Sequence, residues 1–169
     1  MDGFDLSEKQ ANEYMKCWYK EKRKKKEPLS RLMDSNKYDP FDHLLYSANT
    51  LIYTEWKIRE EPSTKYDAWL IEESKVNNLR AIYQAHIVHN KMQVHYQPET
   101  EPAPLPLLLF FCLCSDGKLY IFDLMQQPRF KETRKAKAQT KDVNSPTIDK
   151  KFWFYDSSQA IETFQFQAK

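Results

Sequence analysis

The sequence contains little glycine, little cysteine and no long apolar run, and each shortage argues against a class of protein. Only two of the 169 residues are glycine, whereas phosphate-binding loops and dinucleotide-binding turns need several. A P-loop or Rossmann nucleotide-binding enzyme is therefore not expected. The three cysteines form no C-x-x-C pair and no cluster with zinc spacing. Their odd number argues against a disulfide scaffold, so a reducing cytoplasm is the expected compartment.

No membrane or secretory segment is expected. The longest apolar run covers residues 105–113, contains a proline and is too short to cross a bilayer. No signal-peptide pattern is present. A chain of 169 residues can bury a substantial core, and a single domain over residues 1–169 is predicted.

The net charge of +2 is small, but the basic residues are clustered. Residues 20–26 read KEKRKKK, and residues 129–151 carry eight lysines or arginines against three acids. Such clusters suit a polyanion, most often nucleic acid, although a solvated helix end and a solvated loop would give the same composition. The candidate nucleic-acid-binding residues in these clusters are Lys22, Arg23, Lys24, Lys25, Lys26, Arg134, Lys135 and Lys137.

Apolar periodicity and turn signals predict both helices and strands. Helices are expected over residues 5–25 and 66–90, and strands over residues 41–46, 51–59, 107–114, 118–124 and 152–155. Residues 128–151 are polar, basic and nearly devoid of large apolar groups, so a mobile loop is predicted there. The order helix, two strands, helix, two strands and a final strand indicates an α/β fold with a central mixed sheet flanked by helices.

Residues 51–59, LIYTEWKIR, are the most informative part of the chain. Alternate side chains of a strand share a face, so Glu55, Lys57 and Arg59 project together, with Glu55 and Lys57 about 6.6 Å apart along the backbone. A carboxylate beside an ammonium could hold a hard metal ion next to a phosphate, and Arg59 could reach a phosphate. A salt-bridged surface strand would give the same pattern. Asp42 lies thirteen residues upstream of Glu55, across the predicted hairpin.

This ordered set of residues resembles the PD-(D/E)xK nuclease superfamily, which includes many restriction endonucleases and Holliday-junction resolvases. Residues 54–59, TEWKIR, with Tyr66, Asp67 and residues 71–75, IEESK, are similar to small resolvase-like proteins of phages and bacteria. The resemblance covers roughly residues 5–125 and implies a restriction-endonuclease-like central sheet.

The resemblance also implies a role for each candidate site residue. Asp42 and Glu55 would hold Mg²⁺ or Mn²⁺, and Lys57 would contact the scissile phosphate or orient the attacking water. Glu8 matches an acidic residue on the first helix that is a common metal ligand in the family. Lys75 matches a residue of the following helix that often supports the site.

One departure from the family pattern concerns the proline that should directly precede the first acid. The sequence here reads Asp39-Pro40-Phe41-Asp42, so the proline is displaced by one residue. Asp39 is therefore a rival to Asp42 as a metal ligand.

The function that the resemblance implies is a metal-dependent DNA endonuclease that hydrolyses phosphodiester bonds in duplex or branched DNA. Mg²⁺ prefers oxygen ligands and keeps several waters, so two carboxylates and a phosphate oxygen suffice. Resolvase-like members usually dimerise, so a homodimer in the cytoplasm of a bacterial or phage-infected cell is expected. Two alternatives stay open, a non-catalytic nucleic-acid- or protein-binding module that retains the fold, and an RNA-directed nuclease.

Overall fold

The computed structural model describes residues 8–22, 31–34, 41–47, 49–138 and 144–166. Its two α-helices are α1 (Glu8–Lys22) and α2 (Glu73–Tyr96), and a short 3₁₀ helix covers Ser157–Gln159. Its strands are β1 (Arg31–Asp34), β2 (His43–Tyr46), β3 (Leu51–Ile58), β4 (Ala68–Glu72), β5 (Leu107–Leu113), β6 (Lys118–Asp123), β7 (Phe130–Lys137), β8 (Thr147–Asp156) and β9 (Glu162–Gln165). No helix in these ranges is long and apolar enough to cross a bilayer.

The described strands form two sheets. The larger one has six strands in the order β1-β2-β3-β5-β6-β9, and the smaller one has three in the order β4-β8-β7. β3 and β5 are parallel neighbours, whereas the other neighbouring strands are antiparallel. The larger sheet is therefore mixed, and the predicted α/β fold with a central mixed sheet is confirmed.

Each face of the six-stranded sheet covers its own hydrophobic core. On one face, α1 places Met15 and Trp18 against Phe111 of β5. On the other face, α2 and the inner residues of the three-stranded sheet pack against Phe110 of β5. Because β5 is buried on both faces, its sequence is a continuous apolar run rather than an alternating one.

The prediction of one helix over residues 66–90 is wrong for residues 68–72. They form β4, and the helix α2 begins only at Glu73. Trp69 and Ile71 are buried in the second core, while the residues between and beside them are half-buried on the opposite face. A short apolar run of this kind cannot be distinguished from a buried helix by periodicity alone.

The prediction of a mobile loop over residues 128–151 is wrong for residues 130–137 and 147–151. They belong to β7 and β8, which are paired along their length from Phe130↔Phe154 to Lys137↔Thr147. Backbone pairing holds β7 in place although its side chains are almost all exposed. Charged side chains on such an edge strand prevent pairing with another chain, which explains why the sequence has the composition of a loop. The predicted final strand, 152–155, is the buried half of β8.

We predict that Phe111→Ala lowers the free energy of unfolding by about 3–5 kcal/mol. Phe111 is fully buried, stacks on Trp56 and packs edge-on against Trp18, each with ring centroids 5.0 Å apart. Urea unfolding followed by circular dichroism measures the change. The matched control is Phe130→Ala on exposed β7, which should lower the free energy of unfolding much less. Equal losses for both variants would contradict the place of Phe111 in the core.

Candidate functional site

The Glu55 face of β3 is turned toward α2. Trp56 belongs to the core under α1, whereas Tyr53 packs against the core under α2. Glu55 and Lys57 alternate with Trp56 and therefore lie on the α2 side. The predicted alternation of this strand is thus realised, and Glu55 is completely buried.

Two lysines from different elements approach the two oxygens of the Glu55 carboxylate. The Lys57 Nζ donates a hydrogen bond of 2.8 Å to Glu55 Oε1. Lys75, in the first turn of α2, places its Nζ 3.4 Å from Oε2. That second contact is an ion pair without hydrogen-bond geometry, since the buried Oε2 accepts no hydrogen bond from the described residues. Both lysine side chains are about one-third exposed, at 33% and 35%, so they connect the buried carboxylate to the surface.

Asp42 is held next to Glu55 by the hairpin. β2 pairs with β3 in the register His43↔Thr54, and the same register continued by one residue sets Asp42 opposite Glu55, on one side of the sheet. The Asp42 N–H donates to the Thr54 carbonyl at 2.8 Å, and its Oδ2 accepts from the Trp56 N–H at 2.7 Å. These two backbone contacts fix the carboxylate across the strand pair.

The pKa shifts follow from this crowding of charges. Burial raises the pKa of Glu55, and the nearby Asp42 carboxylate raises it further, while Lys57 and Lys75 act in the opposite direction. Burial would lower the pKa of Lys57, but the Glu55 carboxylate outweighs it, and the pKa of Lys57 is raised. Both members of the Glu55–Lys57 pair therefore have pKa values above their ordinary ones. A cation beside Oε2 would favour the ionised carboxylate.

The residues present fit a hard cation at Asp42 and Glu55. Two neighbouring carboxylates supply oxygen ligands, and Oε2 of Glu55 accepts no hydrogen bond from the described residues, with the Lys75 Nζ 3.4 Å away as an ion-pair partner. No group of three His, Cys, Asp or Glu side chains with metal-site geometry occurs in that part of the chain. Mg²⁺ retains several waters, so two protein carboxylates are compatible with its binding.

The side chains of two predicted metal ligands, Glu8 and Asp39, are not described, so their distances from Asp42 and Glu55 are not known. Glu8 is the first residue of α1, which packs on the sheet face opposite to α2, and its side chain is not among the described ones. Asp39 lies outside the described residues. The roles of Glu8 and Asp39 therefore stay predictions.

The predicted nucleic-acid-binding residues are distributed over three places. Arg59 donates from its Nη2 to the Leu70 carbonyl at 2.8 Å. Arg134 pairs with Glu132 at 2.7 Å, and Lys135 pairs with Asp149 at 3.0 Å. Lys135 and Lys137 lie on one face of β7 and Arg134 on the other. Lys22 ends α1 with its side chain undescribed, and residues 23–26 lie outside the described ranges.

Tyr53 and His86 are neighbours of the site that were not expected from the sequence. Tyr53 shares the strand face of Glu55, and its hydroxyl lies 3.3 Å from His86 Nε2 on α2. Burial raises the pKa of Tyr53 and lowers that of His86. Tyr53 could have been predicted to share the face of Glu55 and Lys57, because residues 53, 55 and 57 alternate along the strand. Its contact with His86 could not, because nothing local in the sequence pairs two residues that are 33 positions apart.

Comparison with known proteins gives a structural likeness but no family. No family model matches the chain, and no curated protein matches it. Among solved structures, the chain is similar to Hjc of Archaeoglobus fulgidus, a Holliday junction resolvase from an archaeal hyperthermophile. The TM-score is 0.46 at 9% sequence identity, over 92% of this chain and 91% of that chain. A likeness of this size assigns neither a family nor an activity.

We predict that Glu55→Gln gains stability relative to the wild type as the pH rises from about 4 to about 8 in EDTA. The folded-state pKa of Glu55 is raised above its ordinary value of 4.5. Its contribution to stability is therefore complete below that value and is lost as the pH rises through the folded-state pKa. Glutamine cannot ionise and avoids this loss. Urea unfolding at each pH gives the difference.

The control for this experiment is Glu13→Gln on α1. Glu13 forms an exposed ion pair with Lys16 at 2.7 Å, and such surface pairs contribute little to stability. Its stability difference from the wild type should change little over the same pH range. A Glu55→Gln difference as flat as that of Glu13→Gln would contradict the raised pKa of Glu55.

Proposed function

We propose that this protein is a metal-dependent endonuclease that hydrolyses phosphodiester bonds in duplex or branched DNA. The proposal is carried by the Glu55 carboxylate, which is fully buried, beside Asp42, with one oxygen that accepts no hydrogen bond from the described residues. Leaving a buried acceptor without a hydrogen bond costs about 1–3 kcal/mol, and the Lys75 ammonium, 3.4 Å from this oxygen, offsets that cost only through its charge. Such a cost is understandable if the oxygen is kept for a ligand.

Asp42 and Glu55 would hold Mg²⁺ or Mn²⁺. When bound, such an ion acidifies a water for attack at phosphorus and neutralises charge on the leaving oxygen. The backbone N–H of Trp56 orients the Asp42 carboxylate, and the Lys57 ammonium orients that of Glu55. Both ligands are thus fixed before an ion arrives, so little ordering is left for the binding step.

Lys57 and Lys75 would neutralise the phosphate of the substrate. Each Nζ contacts a Glu55 oxygen, yet each side chain is about one-third exposed. The exposed part of the Lys57 side chain would allow its ammonium to contact a phosphate bound at the site. A compact point charge at this position stabilises the negative charge that develops at phosphorus in the transition state.

A second candidate function is a non-catalytic binding module that retains the fold. The observation that favours it is the same ion pair, since Glu55 already faces two lysines and would then serve only to join β3 to α2. The two functions differ in whether the site binds a divalent ion and whether DNA is cut.

We predict that Lys57→Ala lowers the rate of DNA cleavage by about a hundredfold or more, the usual loss when one transition-state contact is removed. A supercoiled plasmid and a four-way junction incubated with Mg²⁺, Mn²⁺ or EDTA give the rates. The fold should persist, because Lys75 still faces Glu55 and the raised pKa of Glu55 allows it to take up a proton.

The control for cleavage is Lys16→Ala, which removes an exposed lysine of α1. It should cut at the wild-type rate, and DNA affinity measured in EDTA should be similar for both variants. Full activity of Lys57→Ala would disprove its role, and cleavage in EDTA would disprove the dependence on metal.

We predict that wild-type protein binds Mn²⁺ in titration calorimetry and that Asp42→Asn binds it at least about tenfold more weakly. Asparagine retains an oxygen that can accept from the Trp56 N–H, so the hairpin contact is preserved while the charge is removed. The Glu13→Gln variant serves as the control with an equal change of charge. Absence of Mn²⁺ binding to the wild type would favour the non-catalytic module.

A further inference from the structure

A cleft lies next to the candidate site, on the outer face of the three-stranded sheet. Trp69 and Ile71 of β4 face the core, so Leu70 and its partner Phe154 on β8 face outward. The end of β3 and the chain that leads from it to β4 form the opposite wall. The cleft has a volume of about 390 Å³, within the range of pockets that hold one small ligand.

Two arginines give the cleft a positive character. Arg59 and Arg134 line it from opposite sides, and Glu61 is the acid among the lining residues. Glu61 is paired with Lys65, and Arg134 with Glu132. These three cations and two carboxylates leave a net positive charge around the cleft.

The geometry of the two guanidinium groups suits a phosphate. Arg59 uses NH2 to bind the Leu70 carbonyl, which fixes the group and leaves other N–H donors of the five in an arginine. The Arg134 guanidinium lies over the Phe154 ring, 4.7 Å from its centroid. Planar arginine groups held in this way recognise phosphate oxygens through paired hydrogen bonds and can also stack on a base.

Tyr66 adds an aromatic surface at the rim of the cleft. It is 49% exposed, and its ring is held edge-on against Trp69 at an interplanar angle of 89°. An exposed ring is a stacking platform for a nucleobase, because every base has an aromatic face, and the Lys65 Nζ lies over this ring, 5.5 Å from its centroid. The cleft therefore combines phosphate-binding and base-stacking groups in a space for one small ligand.

Arg59 connects this cleft to the site at Glu55. It lies on the same face of the chain as Lys57, two residues further on, or about 6.6 Å along the backbone. The charge of Arg59 acts on Lys57 directly. A strand whose phosphate contacts Lys57 would thus place an adjoining nucleotide at Arg59.

We propose that the cleft receives one unpaired nucleotide of the DNA strand beside the cleavage site, with the base on Tyr66 and the phosphate between Arg59 and Arg134. This proposal rests on the proposed function, which identifies the bound strand as DNA next to the bond that is cut. A base inside a duplex is stacked and cannot enter such a cleft without being extruded. The protein should therefore prefer DNA with unpaired bases, as at branch points, gaps and overhangs, over continuous duplex.

The test measures binding in EDTA, so that cleavage does not interfere. Fluorescence anisotropy with a labelled four-nucleotide single strand and with a blunt duplex gives two affinities for each variant. Tyr66→Ala and Arg134→Gln should each weaken single-strand binding about tenfold and change duplex binding much less. Tyr66→Phe retains the ring and should bind the single strand like the wild type.

The matched control is Tyr46→Ala, which removes a ring of similar exposure, 47%, from β2. It should leave both affinities unchanged. Failure of the wild type to bind the single strand, or equal binding by wild type, Tyr66→Ala and Arg134→Gln, would overturn the proposal.

The proposed function fails on different evidence, namely a fully active Lys57→Ala. If Lys57→Ala is inactive but the cleft variants bind normally, the endonuclease stands and the cleft is not part of its substrate site.

Discussion

The burial of the Glu55 carboxylate between Lys57 and Lys75 is the interaction around which the candidate site is arranged. An ionised carboxylate in an apolar interior is expensive unless it is paired, and here its partners come from its own strand and from the first turn of α2. The pairing joins the sheet to the helix at one point. It also determines how the lysines are oriented, with their charged ends at the carboxylate and part of each side chain in solvent. The chemistry proposed for the site depends on this half-buried position.

The β2–β3 hairpin supplies the second constraint. Its register places Asp42 across from Glu55, and the contact of Asp42 with the Trp56 N–H belongs to the backbone of the same strand. Two carboxylates that repel each other are thus held together by ordinary strand pairing. Proteins that keep like charges adjacent in this way usually do so at functional positions. The free-energy cost of this repulsion is offset by the two cores, which bury large aromatic residues on both faces of the central sheet.

Much of this arrangement could be predicted from the sequence, because successive side chains of a strand point to opposite faces and a hairpin brings the neighbouring strand back beside β3. The face shared by Glu55 and Lys57, and the position of Asp42 across the turn, follow from local geometry. The strands β4 and β7 could not be recognised in this way. β4 is too short to show a period distinct from that of the helix that follows, and β7 is held by backbone pairing with β8, which leaves no apolar pattern. The cleft at Arg59 and Arg134 requires the packing of two separate sheets, for which no local signal exists.

The parallel pairing of β3 with β5 has a consequence for the order in which the site is assembled. Between Ile58 and Leu107 lie β4 and the long helix α2, so this pairing joins segments that are distant in sequence. Contacts of high sequence separation form slowly, because closing the long intervening loop costs entropy before the contact stabilises anything. During synthesis, a nascent chain that has reached residue 106 already carries Asp42, Glu55, Lys57 and Lys75, yet it lacks the strand that supports β3 from the side. The strand that carries Glu55 and Lys57 is therefore completed on this side only by β5, a strand that contributes no residue to the chemistry.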